Sequence, residues 1–177
     1  MAEHRLAVDV AKVSPPAMIN LRVAGGNATG LHEIADFLGI DDLPETNRVR
    51  STSEWLVVGL GPDEWLLMAE GKGAGEGAAF EEMLRSNLAS PAISSCDVSA
   101  ARGLVRLSGI AIWTLLSKGC SIPRQALEPY RCAQTLVAHL PTLIMSGAAQ
   151  WIDLYPRTSA ADYLLDWLVR AAACSDN

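Results

Sequence analysis

Apolar residues in the first half of this chain recur at two spacings, and the order of those spacings limits the possible folds. Alternation over residues 18–23 predicts a strand, and the turn signal Gly-Gly-Asn follows it at residues 25–27. Next comes a predicted helix that Thr29 caps. Its apolar face consists of Leu31, Ile34, Ala35 and Leu38. The chain therefore begins with a β–α unit.

A predicted hairpin comes next. Two apolar runs, residues 55–60 and 65–69, flank Gly-Pro-Asp-Glu, which is a turn composition. A helix is predicted at about residues 78–88, and a strand at residues 93–98. The order strand–helix–strand–strand–helix–strand is that of a ferredoxin-like unit.

The second half repeats this order in part. We predict a strand at residues 104–107, a helix at residues 110–117 that ends on a left-handed Gly119, and a strand at residues 132–140. Two more strands, at residues 143–145 and 150–155, lead to a last helix. Its predicted apolar stripe is Tyr163, Leu164, Trp167, Leu168 and Ala171.

The fold class predicted from this order is α+β, with two ferredoxin-like βαββαβ-type units and mainly antiparallel sheets. No direct sequence repeat is visible, so the pattern indicates a diverged duplication. We predict a single domain over residues 1–177, with halves at about residues 15–98 and 99–174.

The composition limits the classes of partner that we expect for this chain. Half of the 177 residues are apolar, the net charge is −6, and only 14 residues are Lys or Arg. Such a chain has no basic face for phosphates, so we expect neither nucleic acid nor a membrane surface as a partner. No apolar stretch approaches the roughly 20 residues of a membrane helix, and the first 16 residues alternate charged and apolar side chains. The sequence predicts a cytoplasmic protein.

Residues for catalysis are scarce. The only histidines are His4, His32 and His139, and none of them neighbours a plausible nucleophile in the sequence. Cys132 and His139 are a candidate catalytic Cys–His pair, but ordinary positions on a predicted strand explain both residues. No HExxH or GxSxG motif is present. We therefore predict no catalytic, cofactor-binding or metal-binding residues on this chain.

The four cysteines, Cys96, Cys120, Cys132 and Cys174, form no CxxC pair, and we expect them to be reduced and mostly buried. The Gly-rich segment at residues 71–77, GKGAGEG, lacks the GK[ST] ending of a phosphate loop and is predicted to be an exposed linker.

Three residues are predicted to contact another subunit. Arg131 and Arg157 have the planar guanidinium that protein interfaces favour, and Trp65 is a candidate aromatic anchor. The adjacent carboxylates Asp63 and Glu64 are expected to keep the tip of the hairpin in water.

Five segments together resemble the gamma subunit of heterotetrameric sarcosine oxidase. They are GPDEWLL at residues 61–67, DVSAARGLVRLSG at 97–109, LSKGC at 116–120, RCAQT at 131–135 and DLYPRTSAADYLLDWL at 153–168. Their order and their span, from residue 61 to residue 168, make the combination specific. The first third of the chain is similar only through PPAMINLRV and the helix after it.

The resemblance implies the fold of the folate-binding module of aminomethyltransferases. It also implies a non-catalytic subunit of a flavoprotein complex that oxidatively demethylates sarcosine to glycine and passes the one-carbon unit to tetrahydrofolate or releases it as formaldehyde. In such a complex, FAD, FMN, NAD, tetrahydrofolate and zinc lie on the alpha, beta and delta subunits. This chain would carry no cofactor.

Three alternatives remain open at this stage. The chain could be a stand-alone folate-binding or aminomethyltransferase-like protein that uses Asp97 or Asp153. It could be an accessory subunit of a related dehydrogenase of N-methyl amino acids, or an interaction module of an unrelated complex. The connection at residues 141–151 has no Asp or Glu, which argues against autonomous folate binding.

Overall fold

A computed structural model of the chain describes residues 7–147 and 151–173. These residues form two compact units. The first unit is Pro15–Ala100. The second unit combines the described residues up to Ser14 with those from Ala101 onward. None of the described helices is long and apolar enough to cross a bilayer.

The first unit is an antiparallel sheet packed against two helices. The strands are β2 (Pro16–Val23), β3 (Val49–Ser51), β4 (Trp55–Gly61), β5 (Glu64–Gly73) and β6 (Ile93–Asp97), in the order β3-β4-β5-β2-β6. The helices are α1 (Ala28–Leu38) and α2 (Gly77–Asn87). Alternate strand residues form the core with the helices, including Ile19, Leu21, Val57, Leu67, Ile34 and Leu84. The predicted hairpin is confirmed as β4 and β5.

The second unit has the same architecture. Its strands are β1 (Asp9–Val13), β7 (Leu104–Ser108), β8 (Cys132–Val137), β9 (Leu140–Ser146) and β10 (Trp151–Pro156), in the order β1-β7-β10-β9-β8. Its helices are α3 (Ile112–Ser117) and α4 (Ala161–Ala173). The core includes Val105, Leu107, Leu115, Ile144, Leu154 and Leu164.

The two sheets match strand for strand. In each, an interior strand (β2 or β7) is followed by a helix, three strands and a second helix, and one more strand pairs beside the interior strand at the edge of the sheet. β6 closes the first sheet from the end of its own unit, whereas β1 closes the second sheet from the N-terminus. The prediction of an α+β fold with two ferredoxin-like, mainly antiparallel units is confirmed. Each unit carries one extra edge strand, β3 or β8, beyond the four of that motif.

The closing strand β1 is not among the strands predicted from the sequence. β1 pairs antiparallel with β7, with Val10 opposite Leu107 and Val13 opposite Leu104. Val8 is buried in the core beside it. Because β1 and β7 are neighbours in one sheet, the first unit is an insertion between two adjacent strands of the second unit.

Two predictions of local structure at helix ends are wrong. Asn27, not Thr29, caps α1, and its side chain accepts a hydrogen bond from the Gly30 amide at 2.9 Å. Gly119 is not a left-handed cap. A Cβ at Gly119 would lie 2.4 Å from the Trp167 ring, so this glycine allows a close approach of the indole.

The predicted strand at residues 132–140 is in fact β8 and the start of β9. Ala138 and His139 have φ values of 48° and 66°, as the two central residues of a type I′ hairpin turn require. The predicted stripe on the last helix is also partly wrong. Tyr163 is 59% exposed, and the buried residues of α4 are Ala161, Leu164, Leu168 and Ala172.

The origin of β1 generates a testable prediction. A permuted chain that begins at Pro15 and carries residues 7–14 after α4, through a short Gly/Ser linker, should fold, because the order of the second unit then equals that of the first. A chain that begins at Pro15 and lacks residues 7–14 altogether loses one of the two strand partners of β7 and the burial of Val8. We expect it to lose at least about 2 kcal/mol of unfolding free energy in the second unit.

Urea unfolding measures the free energy of unfolding of both variants, and amide hydrogen exchange measures the protection of each strand. Protection in β7 should fall in the truncated chain and return in the permuted chain, while protection in β2 and β5 stays constant. Equal protection of β7 in the truncated and the full chain would contradict the role assigned to β1.

Candidate functional site

The described residues contain no metal site. No three His, Cys, Asp or Glu side chains come together there in a way that could bind a metal ion. His32 is exposed on α1, and His139 is exposed in the turn between β8 and β9. His4 lies outside the described residues.

Cys132 and His139 do not form a catalytic pair. Cys132 begins β8 opposite Met145, whereas His139 follows the far end of the same strand. Burial raises the pKa of the Cys132 thiol to about 11, so the thiol is protonated at neutral pH. Cys120 is also buried, and Cys96 is exposed on the edge strand β6. Cys174 lies outside the described residues.

Asp97 is one of the two carboxylates named for the aminomethyltransferase alternative. It is hydrogen-bonded within the chain at the end of β6. Its Oδ1 accepts hydrogen bonds from the Ser99 amide at 2.9 Å and from the Ser99 hydroxyl at 2.6 Å. The Ser99 Oγ accepts the Met18 amide at 2.8 Å, which joins this turn to β2. A Cβ at Gly77 would lie 2.2 Å from Asp97 Oδ1, so the start of α2 is packed on the carboxylate. This arrangement is typical of a structural turn.

Asp153, the other carboxylate of that alternative, forms a bidentate ion pair. It lies directly opposite Arg106 in the ladder between β10 and β7. Arg106 Nε and Nη2 donate to its two carboxylate oxygens, each at 2.7 Å. Asp153 is 2% exposed, whereas the Arg106 side chain is 39% exposed. The hydrogen bond that Arg106 donates to Asp153 is the main reason that the pKa of Arg106 is raised.

Two aromatic side chains flank this ion pair. The Arg106 guanidinium lies 4.3 Å from the centre of the Trp151 ring, which is a cation–π distance. The Tyr155 hydroxyl lies 3.5 Å from Asp153 Oδ2. Desolvation, and then the Asp153 charge, raise the pKa of Tyr155 far above its usual value. Both oxygens of the Asp153 carboxylate are therefore hydrogen-bonded to Arg106 within the unit.

The Gly-rich segment at residues 71–77 does not form a phosphate loop. It consists of the end of β5, a 3₁₀ turn at Ala74–Glu76 and the first residue of α2. The Glu76 carboxylate accepts the Gly73 amide at 3.2 Å and lies 3.5 Å from Lys72 Nζ. A carboxylate thus occupies the donors that a phosphate would need. The segment is largely exposed as predicted, but it is strand and helix rather than a linker.

The carboxylates of the hairpin differ from each other. Asp63 is exposed, as predicted. Glu64 instead points toward β2. Its Oε2 pairs with Arg22 at 3.0 Å, and its Oε1 accepts a hydrogen bond from the side-chain amide of Asn20 at 2.8 Å.

The predicted interface residues lie in different environments. Trp65 is 4% exposed, and its indole N–H donates to the Pro44 carbonyl at 2.9 Å. A side chain buried in its own unit has almost no surface for a partner, which argues against Trp65 as an interface residue. Arg157 is exposed at the start of the turn before α4. Arg131 is about one-third exposed, and its Nε lies 3.9 Å from a Glu128 carboxylate oxygen.

A half-open cavity of about 560 Å³ lies within the second unit. The residues before and in α3, the 3₁₀ turn at Arg124–Leu127 and the start of β10 form its walls. Its lining includes Ile110, Trp113, Arg124, Glu128, Pro129 and Trp151. Sequence reasoning missed this cavity, although the loop rich in proline and arginine between α3 and β8 was a signal for it.

The ion pair gives an asymmetric stability prediction. Arg106→Met leaves an almost fully buried carboxylate without a counter-charge and should cost about 3–5 kcal/mol. Asp153→Asn leaves a guanidinium that reaches water and should cost less, about 1–3 kcal/mol. Urea unfolding of both variants and of the double variant R106M/D153L measures this. Because the double variant has no unpaired charge, we expect it to be more stable than R106M; equal costs for the two single variants would contradict the geometry.

The cysteines give a second prediction, on reactivity. In the folded chain, iodoacetamide at pH 7.5 should modify Cys96 but not Cys132, because a buried thiol of raised pKa is neither accessible nor ionised. Peptide mass spectrometry after timed labelling identifies each site, and labelling in urea provides the reference for full access. Modification of Cys132 at the rate of Cys96 would refute the assignment of Cys132 to the core.

Comparisons with known proteins give matches to one family over most of the chain. The sarcosine oxidase, gamma subunit family matches residues 26–174. The sarcosine oxidase subunit gamma of Corynebacterium sp. strain U-96 is 29% identical over 168 residues, covering 93% of this chain and 79% of that protein. The subunit gamma of an Arthrobacter species is 30% identical over 169 residues, covering 93% and 80%.

Solved structures also match. A chain of the heterotetrameric sarcosine oxidase from Corynebacterium sp. U-96, in complex with pyrrole 2-carboxylate, has a TM-score of 0.83 and 27% identity, covering 98% of this chain and 91% of that chain. Aminomethyltransferase T of the glycine cleavage system from Bartonella henselae has a TM-score of 0.71 at 15% identity, covering 97% of this chain and 50% of that enzyme. The second likeness concerns the fold alone. The chain belongs to the sarcosine oxidase gamma subunit family.

Proposed function

We propose that this chain is a non-catalytic, accessory subunit of a heterotetrameric sarcosine oxidase-type complex. One observation carries the proposal: the likeness to a chain of such a complex extends over 98% of this chain and 91% of the other. A likeness of nearly full length on both sides supports an equivalent role as a whole subunit.

The chemistry of the described side chains supports a role without catalysis. Asp153 is bound to Arg106, Asp97 is bound within a turn, and the thiol of Cys132 is buried. These three side chains, which the catalytic alternatives would use as a base or a nucleophile, are therefore engaged in the fold. What the chain offers to an assembly is its surface.

The proposed complex oxidises the N-methyl group of sarcosine to give glycine. The alpha, beta and delta subunits would hold FAD, FMN, NAD, tetrahydrofolate and zinc, and this chain would hold none of them. Arg131 and Arg157 remain candidate contacts with a partner subunit, since the Arg157 residue is exposed and the Arg131 side chain is about one-third exposed. The substrate and the electron acceptor are properties of the partner chains, so an N-methyl amino acid dehydrogenase would use this subunit in the same way.

Autonomous folate binding is the weaker alternative. Its support is the fold shared with aminomethyltransferase T, but this chain covers only half of that enzyme. The two carboxylates that could hold a pterin in this alternative, Asp97 and Asp153, already have protein partners. Titration of the isolated chain with tetrahydrofolate in a calorimeter should give no heat of binding; micromolar binding would favour this alternative.

Purification of a tagged chain from its native source tests the main proposal. We expect three further chains to co-purify, together with flavin absorbance and oxidation of sarcosine or a related N-methyl amino acid. The chain expressed alone should be colourless and inactive. A yellow or active single chain, or a tagged chain that captures no flavoprotein, would refute the proposal.

A further inference from the structure

The exposed apolar side chains of this protein are unevenly distributed. Among the described residues, the large apolar side chains that are exposed all belong to the second unit: Ile110, Tyr130, Leu136, Tyr163 and Val169. Ile110 is the most exposed of them, at 85%. It lines the 560 Å³ cavity, and Tyr130 follows the lining residue Pro129. An apolar rim beside a cavity is typical of a protein-binding surface.

The cavity has a preorganised aromatic wall. Trp151 is packed against Gly147, where a Cβ would lie 2.2 Å from the indole ring. The Arg106 guanidinium stacks on the same indole at 4.3 Å and is itself held by Asp153. A tryptophan fixed in this way loses little rotational freedom when a partner binds, which favours affinity.

Arg124 is the one basic residue among the described residues that line the cavity, in a chain whose net charge is −6. Arg124 is exposed, and its guanidinium lies 5.7 Å from the centre of the Trp113 ring. Within the described residues, no carboxylate forms an ion pair with Arg124. Next to the cavity, the buried Nε of Arg131 has no hydrogen-bond partner in the described structure. Glu128 is the one acidic residue among the described residues that line the cavity.

We propose that this cavity, the Trp113–Trp151 groove, is an anchor site for a partner polypeptide. The groove accepts an apolar side chain of the partner, and an Asp or Glu close to it in the partner pairs with Arg124. This inference rests on the proposed function, because it assumes that the chain works inside an assembly.

The rim favours a polypeptide over a small molecule. A ligand of the size of the cavity would fill the space between the two indoles and leave Ile110 and Tyr130 in water. A polypeptide covers the cavity and its rim together, and it also removes water from around the ion pair with Arg124. Tryptophan and arginine are the residues that dominate binding energy at protein interfaces.

Assembly of the full chain with its co-expressed partner chains tests the groove. Ile110→Asp places a charge on the rim, and Arg124→Glu reverses the charge that faces the partner. Both side chains are exposed, so the fold should survive both changes. We expect each variant to bind its partner at least about ten-fold more weakly, in a titration followed by interferometry. Hydrogen exchange should show protection of α3 and of the Arg124–Leu127 turn in the wild-type complex.

Matched controls are available in the same unit. Val169→Asp and Arg170→Glu introduce the same charge changes at exposed positions of α4, and they should bind as the wild type does. Wild-type affinity for both groove variants would overturn the inference, even where a small molecule proves to bind the cavity. If the wild-type chain captures no partner at all, the proposed function itself fails, which separates the two outcomes.

Discussion

The Arg106 guanidinium joins β7 to two residues of β10, Asp153 and Trp151, in the second unit. Arg106 lies between Ala11 of β1 and Asp153 of β10 in the register of the sheet. Its side chain forms a bidentate ion pair with the Asp153 carboxylate and stacks on Trp151. Because a shift of one residue would turn Arg106 to the opposite face of the sheet, the ion pair allows one register only. The same contact fixes a wall of the groove, so it links the fold to the proposed surface.

The duplicated architecture explains how one short chain builds two units. Each sheet has an edge strand beside β2 or β7. In one unit this strand comes late in the chain, and in the other it comes early. The first unit ends with its own β6, while the second unit uses β1, which precedes the first unit. Neither β2 nor β7 then exposes a free hydrogen-bonding edge. The first unit is one continuous segment, as an independent domain would be. The second unit combines the segments before and after it.

The two units also differ in what they present to a partner. Among the described residues, the first unit has no exposed large apolar side chain, and its Asp97 and Glu64 carboxylates have partners within the unit. The second unit carries the exposed apolar residues and the arginines around the groove. A subunit that acts through contacts is expected to concentrate them in this way, since apolar and arginine side chains supply most of the energy of an interface.

The sequence alone determined the order of the helices and of the strands other than β1 and β3, the hairpin of β4 and β5, and the family, because local periodicity and short motifs carry that information. The tertiary structure decided what depends on residues distant in sequence: the closing strand β1, the ion pair of Arg106 with Asp153, and the groove between Trp113 and Trp151. It also placed Trp65 inside the core, which residue type could not show. The physical reason is that burial and strand pairing are properties of the packed chain, whereas a spacing in the sequence shows only which face of an element is apolar.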